Sequence, residues 1–183
     1  MISAIVTRHG RIDFAVCNAG IVESAPFLEV TQETWRRHVD VNLTGVFNTA
    51  QSAARAMVAG GVAGRIVLTG SWVGEVPWLD IAPYSVTKAG VRMLGKAIAK
   101  ELAPHGILVN VMAPGIARAG MAKRQWDTEP AYRARASKAI PLGDAQSPES
   151  VAEAMLWLCG PASSYMTGAV LLVDGGASLF AQE

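Results

Sequence analysis

The distribution of apolar residues decides the fold class. Four short runs, Phe14–Cys17, Ile66–Leu68, Leu108–Met112 and Ala169–Val173, are apolar almost throughout instead of alternating with polar residues. Strands of that kind are buried on both faces, the habit of parallel sheets covered by helices. Helical stretches separate them. Residues 2–9 read as the end of a helix stopped by Gly10. A long helix is expected from about Thr31 to Ala59, with Thr31 as N-cap, Glu33 in its first turn and Gly60-Gly61 as its stop. A second begins near Pro83 and ends near Pro104 and Gly106. A third runs from the Ser147-Pro148-Glu149 cap to Cys159. Residues 116–147 mix short helical pieces with loop. Four strands in a row amount to half of a doubly wound α/β sheet.

Composition bounds the rest. A chain of 183 residues, 51% hydrophobic and 17% charged, reads as one soluble globular domain with a sizeable core. A net charge of +1 with scattered basic residues supplies no attraction to nucleic acid or an anionic membrane. Arg8, His9, Arg11 and Asp13 exclude a secretory signal, and no run reaches the ~18 apolar residues of a membrane span. Cys17 and Cys159 fall in core segments and read as buried thiols of a reducing cytoplasm. His9, His38 and His105 have no metal-ligand spacing, so no metal site is expected.

The chemistry lies in Tyr84-Ser85-Val86-Thr87-Lys88. Tyr84 and Lys88, at i and i+4, share a helix face. A free tyrosine titrates near ~10, and both an ammonium nearby and the first turn of a helix favour its phenolate. Ser71 lies 13 residues earlier, after the Ile66–Leu68 strand. That is the carboxyl end of the sheet, where open parallel sheets bind ligands. A Tyr-x-x-x-Lys pair alone is a common accident. With a serine hydroxyl converging on the same sheet end it suggests a carbonyl–alcohol oxidoreductase.

At this point the chain resembles the short-chain dehydrogenases/reductases. Cys17-Asn18-Ala19-Gly20 is similar to the family's Asn-Asn-Ala-Gly turn. Val41-Asn42-Leu43-Thr44-Gly45 matches its mid-helix asparagine segment. Ser71, Tyr84 and Lys88 match its catalytic serine, tyrosine and lysine. Asn110-Val111-Met112-Ala113-Pro114-Gly115 resembles its nicotinamide loop, and Tyr165-Met166-Thr167-Gly168 with Val173-Asp174-Gly175-Gly176 its closing strand region.

The resemblance implies a Rossmann-like doubly wound parallel sheet, C-terminal part only, with residues 1–183 forming a single partial oxidoreductase domain. It implies NAD or NADP as cofactor and a small-molecule alcohol or ketone as substrate. It also implies a homodimer or homotetramer paired through the two long helices. Tyr84 would be the general acid/base. Lys88 would lower its pKa and hold the nicotinamide ribose, and Ser71 would orient the substrate oxygen. Asn42 would hold a water linking Lys88 to solvent. Asn18, Ala19, Gly20, Pro114, Gly115 and Ile116 would line the cofactor. Asn42 has the alternative of bonding only to backbone, Asn18 of only shaping a turn, and Gly115 of serving only backbone geometry.

Three departures stand out. Cys17 replaces the first asparagine of the turn. Ala119 stands where the family often has a threonine. The family opens with a strand, a glycine-rich turn and a helix, and none is here. Gly60-Gly61-Val62-Ala63-Gly64 follows a helix and precedes a strand, the wrong order for a pyrophosphate turn, and reads better as a helix stop. At ~30 residues per βαβ step, roughly 60–80 residues are expected to be absent. Gene truncation, a late start codon or an incomplete sequence would each explain it. A catalytically inactive remnant or interaction module is the alternative function. A sugar-nucleotide epimerase fits less well, given the short overall spacing and the Asp174-Gly175-Gly176 end. Residues 72–82 and 117–141 are expected to form the substrate pocket, with Trp72, Trp78, Met121 and Trp126 as apolar walls. A sugar and a 3-oxoacyl thioester are both compatible substrates.

Overall fold

The computed structural model describes residues 1–179, apart from the side chain of Met121. Strands β1 (Phe14–Cys17), β2 (Arg65–Thr69), β3 (Leu108–Pro114) and β4 (Val170–Val173) form one sheet in sequence order. All three pairings are parallel, with Phe14 opposite Arg65, Arg65 opposite Leu108 and Val111 opposite Val170. The helices are α1 (Ile2–His9), α2 (Gln32–Val39), α3 (Gly45–Ala59), α4 (Ala82–Leu102), α5 (Gly120–Thr128), α6 (Pro130–Ala139) and α7 (Pro148–Cys159). None of them is long and apolar enough to cross a membrane.

Both faces of the sheet are used, unequally. On one, Cys17, Ile66, Leu68, Val109 and Val111 pack with Val46, Ala53, Met57 and Val91 of α3 and α4. On the other, α7 covers the middle, with Leu158 against Val67 and Met112. That cover stops short of β1. Its residues alternate, Ala15 and Cys17 buried, Phe14 and Val16 at 53% and 43% exposure. The fully apolar β1 is therefore covered on one face only.

The caps follow the sequence. Thr31 accepts from the Thr34 amide at 3.0 Å and Ser147 from the Ser150 amide at 3.1 Å. Gly60 and Gly61 end α3, their amides bonding back to Ala56 and Val58. The expected single helix from Thr31 to Ala59 is instead interrupted. Residues Asp40–Thr44 form a π-helical turn, closed by the Gly45 amide on the Asp40 carbonyl. An extra residue per turn re-aims a side chain, and π-bulges recur at functional sites for that reason. The buried residue of this one is Asn42.

Gly74 sets the distance between two parts of the site. A Cβ there would lie 2.8 Å from the Lys88 carbonyl carbon and 3.0 Å from the Ala89 amide. The Ser71 loop thus rests on α4 backbone to backbone. Gly74→Ala is expected to push the loop off the helix and cost about 1–3 kcal/mol, read by urea denaturation. Unchanged stability would mean that the loop yields freely.

Candidate active site

The carboxyl ends of β1, β2 and β3 bring together residues distant in sequence. Lys88 is 3% exposed, and its Nζ donates to the Thr69 carbonyl at 2.8 Å. The Thr69 hydroxyl in turn donates to Asn18 Oδ1 at 3.0 Å. Asn18, Ala19 and Gly20 form an exposed turn above the sheet. Asn42, fully buried, fixes its far side. Its Oδ1 accepts from the Ile21 amide at 2.8 Å, and its Nδ2 donates to the Ile21 carbonyl at 2.9 Å. A Cβ on Gly20 would lie 3.3 Å from Asn42 Oδ1 and 3.7 Å from Lys88 Nζ, so the glycine leaves a gap beside the ammonium.

Ser71, 4% exposed, follows β2; its hydroxyl accepts from the Val73 amide at 3.4 Å and lies near enough to the Tyr84 side chain to lower its pKa. The ammonium of Lys88 lies over the Tyr84 ring, 5.4 Å from its centroid. It thus faces the ring of the tyrosine. The expectation that Lys88 and the helix dipole favour the phenolate is outweighed by burial. Crowding by protein atoms raises the Tyr84 pKa, although the residue keeps some surface, and the Ser71 hydroxyl pulls it only partly back. Tyr84 rests as the protonated acid. The same burial lowers Lys88 from 10.5 to about 8.

Below pH 8 both folded and unfolded Lys88 are charged, and the fold carries the desolvation cost. As pH rises from 8 to 10.5 the folded state sheds its proton first and the cost disappears. Stability therefore gains about 3 kcal/mol over that window, of which about 1 falls below pH 9. Cys17, raised from 9.0 to about 11 by burial, acts in the opposite direction above pH 9. Urea midpoints should rise between pH 8 and 9 in the native protein and stay level in Lys88→Met. A rise that survives the substitution would contradict the assignment.

A cavity of about 560 Å³ opens on Ser71 and Tyr84. Both expected segments line it, through Trp72 and Trp78 on one side and Ala117, Gln125 and Tyr132 on the other, with Gly115 and Ile116 at the end of β3. Trp72 and Trp78 meet edge to face at 5.3 Å. Trp126 is buried within the same apolar cluster with the Arg118 guanidinium 5.6 Å over its ring, behind the cavity wall. Met121's side chain lies outside the described residues. Gly115 has a packing duty of its own: a Cβ there would lie 2.7 Å from Asp174 Cα.

A family model described as enoyl-(acyl carrier protein) reductase matches residues 1–178. A 3beta-hydroxysteroid dehydrogenase of Eggerthella lenta is 38% identical over 180 residues, 98% of this chain and 69% of that protein. A short-chain type dehydrogenase/reductase from Mycobacterium marinum superposes with TM-score 0.91 at 42% identity, over 97% of this chain and 69% of that one. The chain belongs to the short-chain dehydrogenase/reductase family. A gluconate 5-dehydrogenase from Burkholderia cenocepacia, solved with NADP and tartrate, superposes with TM-score 0.92 at 36% identity, over 98% of this chain and 70% of that one.

Short-chain dehydrogenases/reductases are NAD(P)-dependent, and this site fits the nicotinamide–ribose end of that cofactor. Lys88 has spent one ammonium proton on Thr69, leaving two donors beside the side-chain-free gap at Gly20.

One residue of the site was not singled out by the sequence. His38, fully buried, donates from Nδ1 to the Thr34 carbonyl at 2.8 Å and accepts the Glu23 amide on Nε2 at 3.1 Å. It stands one turn before Asn42 on the same helix, and the two side chains clip neighbouring points of one loop. Val22 and Ser24 of that loop line the cavity. The i, i+4 spacing of His38 and Asn42, which puts both on one helix face, is the signal that would have found it.

Proposed function

We propose that this short-chain dehydrogenase/reductase interconverts a secondary alcohol and a ketone with NAD or NADP, using Tyr84 as general acid/base. The observation that carries the reading is that Ser71 and Tyr84 line one cavity as interacting neighbours, with the Lys88 ammonium over the tyrosine ring. The substrate oxygen takes a place within reach of both hydroxyls. Ser71 donates to it and fixes its position. In reduction Tyr84 gives its proton to the oxygen as negative charge develops there, and in oxidation it takes that proton away. A bound nicotinamide would supply or accept the hydride, and Lys88 would hold its ribose with the two remaining donors. Asn42 keeps the Asn18–Gly20 turn in place, and the second lone pair of its Oδ1 is available to a water linking Lys88 outward. Asn18, Ala19, Pro114, Gly115 and Ile116 border the cofactor.

A raised Tyr84 pKa keeps the proton donor for reduction present at neutral pH, whereas oxidation needs the phenolate. Oxidation is therefore expected to gain with rising pH while reduction does not. Initial rates in both directions across pH test this, and a pH-independent oxidation would overturn it. A sugar and a 3-oxoacyl thioester both remain in the substrate range. The inactive-remnant reading is disfavoured, because the hydroxyl pair, the buried ammonium and the cavity are intact.

We infer further that the cofactor's pyrophosphate is held by residues outside these 183, on the side of β1 where Phe14 and Val16 stand exposed. Calorimetry of the 183-residue chain with NAD and NADP should then show weak binding or none, and micromolar binding would refute it. For assembly, Val86 and Met93 of α4 and Phe47 of α3 are 53%, 64% and 41% exposed, and Leu156 and Trp157 of α7 are 70% and 43% exposed. Two such faces suit a homodimer or homotetramer. The two free thiols suit a reducing cytoplasm, although Cys159 is only half-buried.

A further inference from the structure

Two Arg–Trp stacks stand at the substrate cavity, and they differ in one respect. Arg118, over Trp126, is paired with Asp144. Arg135, over Trp78 with its guanidinium carbon 4.9 Å from the ring centroid, lines the cavity and has no ion-pair partner among the described residues. Stacking occupies the face of a guanidinium and leaves its fork of N–H donors in the ring plane available. Trp78 is 9% exposed and braced by Trp72, which follows Ser71 directly, so the cation is held on a rigid support joined to the reacting end. A planar fork with no carboxylate of its own suits a ligand carboxylate.

Two carboxylates, Asp80 and Glu129, line the same cavity. Asp80 is held at φ 65° with its carbonyl accepting from the Ala25 amide at 2.8 Å. Asp80, Glu129 and Arg135 are all exposed, and a simple apolar acid would use Arg135 alone. A neutral polyol would satisfy the acceptors and leave the guanidinium unused. A chain bearing several hydroxyls and one terminal carboxylate uses all three, since ionised carboxylates accept from hydroxyls.

We infer that the substrate is a polyhydroxy acid whose carboxylate docks on Arg135 while a hydroxyl-bearing or oxo carbon lies at Ser71 and Tyr84. This rests on the assignment of that pair as the reacting end. Binding can be read without turnover, by calorimetry and tryptophan fluorescence with D-gluconate and with D-glucitol, its uncharged counterpart, each with and without NADP. Gluconate is expected to bind about tenfold more tightly than glucitol. Arg135→Leu should abolish that preference, Arg135→Lys should keep part of it, and Tyr84→Phe should leave it in place. Equal binding of the two ligands, no binding of gluconate, or a preference that survives Arg135→Leu would overturn the inference. Failure of the catalytic reading shows separately, as turnover that survives Tyr84→Phe.

Discussion

In a protein extended by the residues that hold the cofactor's pyrophosphate, Tyr84→Phe is expected to lower turnover by about 10²–10⁴-fold, the usual contribution of general acid/base help. The substitution removes one oxygen and leaves the ring on which Lys88 sits, 5.4 Å from its centroid. Cofactor and substrate affinity should therefore change little, and the loss should fall on kcat, because the proton is exchanged only as charge develops on the substrate oxygen. The variant should also fold as the native protein does, since the Tyr84 side chain interacts with Ser71 and not with a structural partner. A loss confined to KM would place Tyr84 in binding only.

Gly115→Val is expected to be the most damaging single change to the fold around the site. The added Cβ would fall 2.7 Å from Asp174 Cα and 2.9 Å from the Asp174 carbonyl oxygen. Both are backbone atoms that cannot swing aside. Asp174 in turn accepts from the Gly176 and Ser178 amides, at 3.0 and 2.8 Å, and shapes the turn after β4. Relief requires β3 and β4 to separate at their carboxyl ends, next to the cavity. Overpacking of this kind typically costs about 1–3 kcal/mol, and backbone contacts place it at the upper end. A chain of this size should then melt roughly 6–12 °C lower by calorimetry. An unchanged melting temperature would mean that the turn relaxes at no cost and that Gly115 is not needed for packing.

What the sequence disclosed and what it hid divide along physical lines. Apolar runs bounded by glycine, proline and caps are local signals, and all four strands lie where those runs are, with β2 and β3 extending beyond theirs. Ser71, Tyr84 and Lys88 were legible because a fixed helical spacing and a strand end determine their placement. The π-turn at Asp40–Thr44 was not, because one extra residue in a 28-residue helical stretch barely disturbs its apolar periodicity. The clips of Asn42 on Ile21 and His38 on Glu23 join positions 21 and 15 residues apart, and only the packed fold brings them together. The position of Lys88 over the tyrosine ring was also hidden. A shared helix face gives proximity, but the Thr69 carbonyl decides where the ammonium points.

The claim that Ser71 and Tyr84 act on one substrate oxygen is open to a direct test by a double-substitution cycle. In a protein extended by the residues that hold the pyrophosphate, rates of NADH- or NADPH-dependent ketone reduction would be compared for the native sequence, Ser71→Ala, Tyr84→Phe and the pair. Groups that act as a unit are strongly non-additive. The double variant should therefore lose little more than Tyr84→Phe alone. Fully additive losses, or turnover retained in the double variant, would contradict a shared site of action.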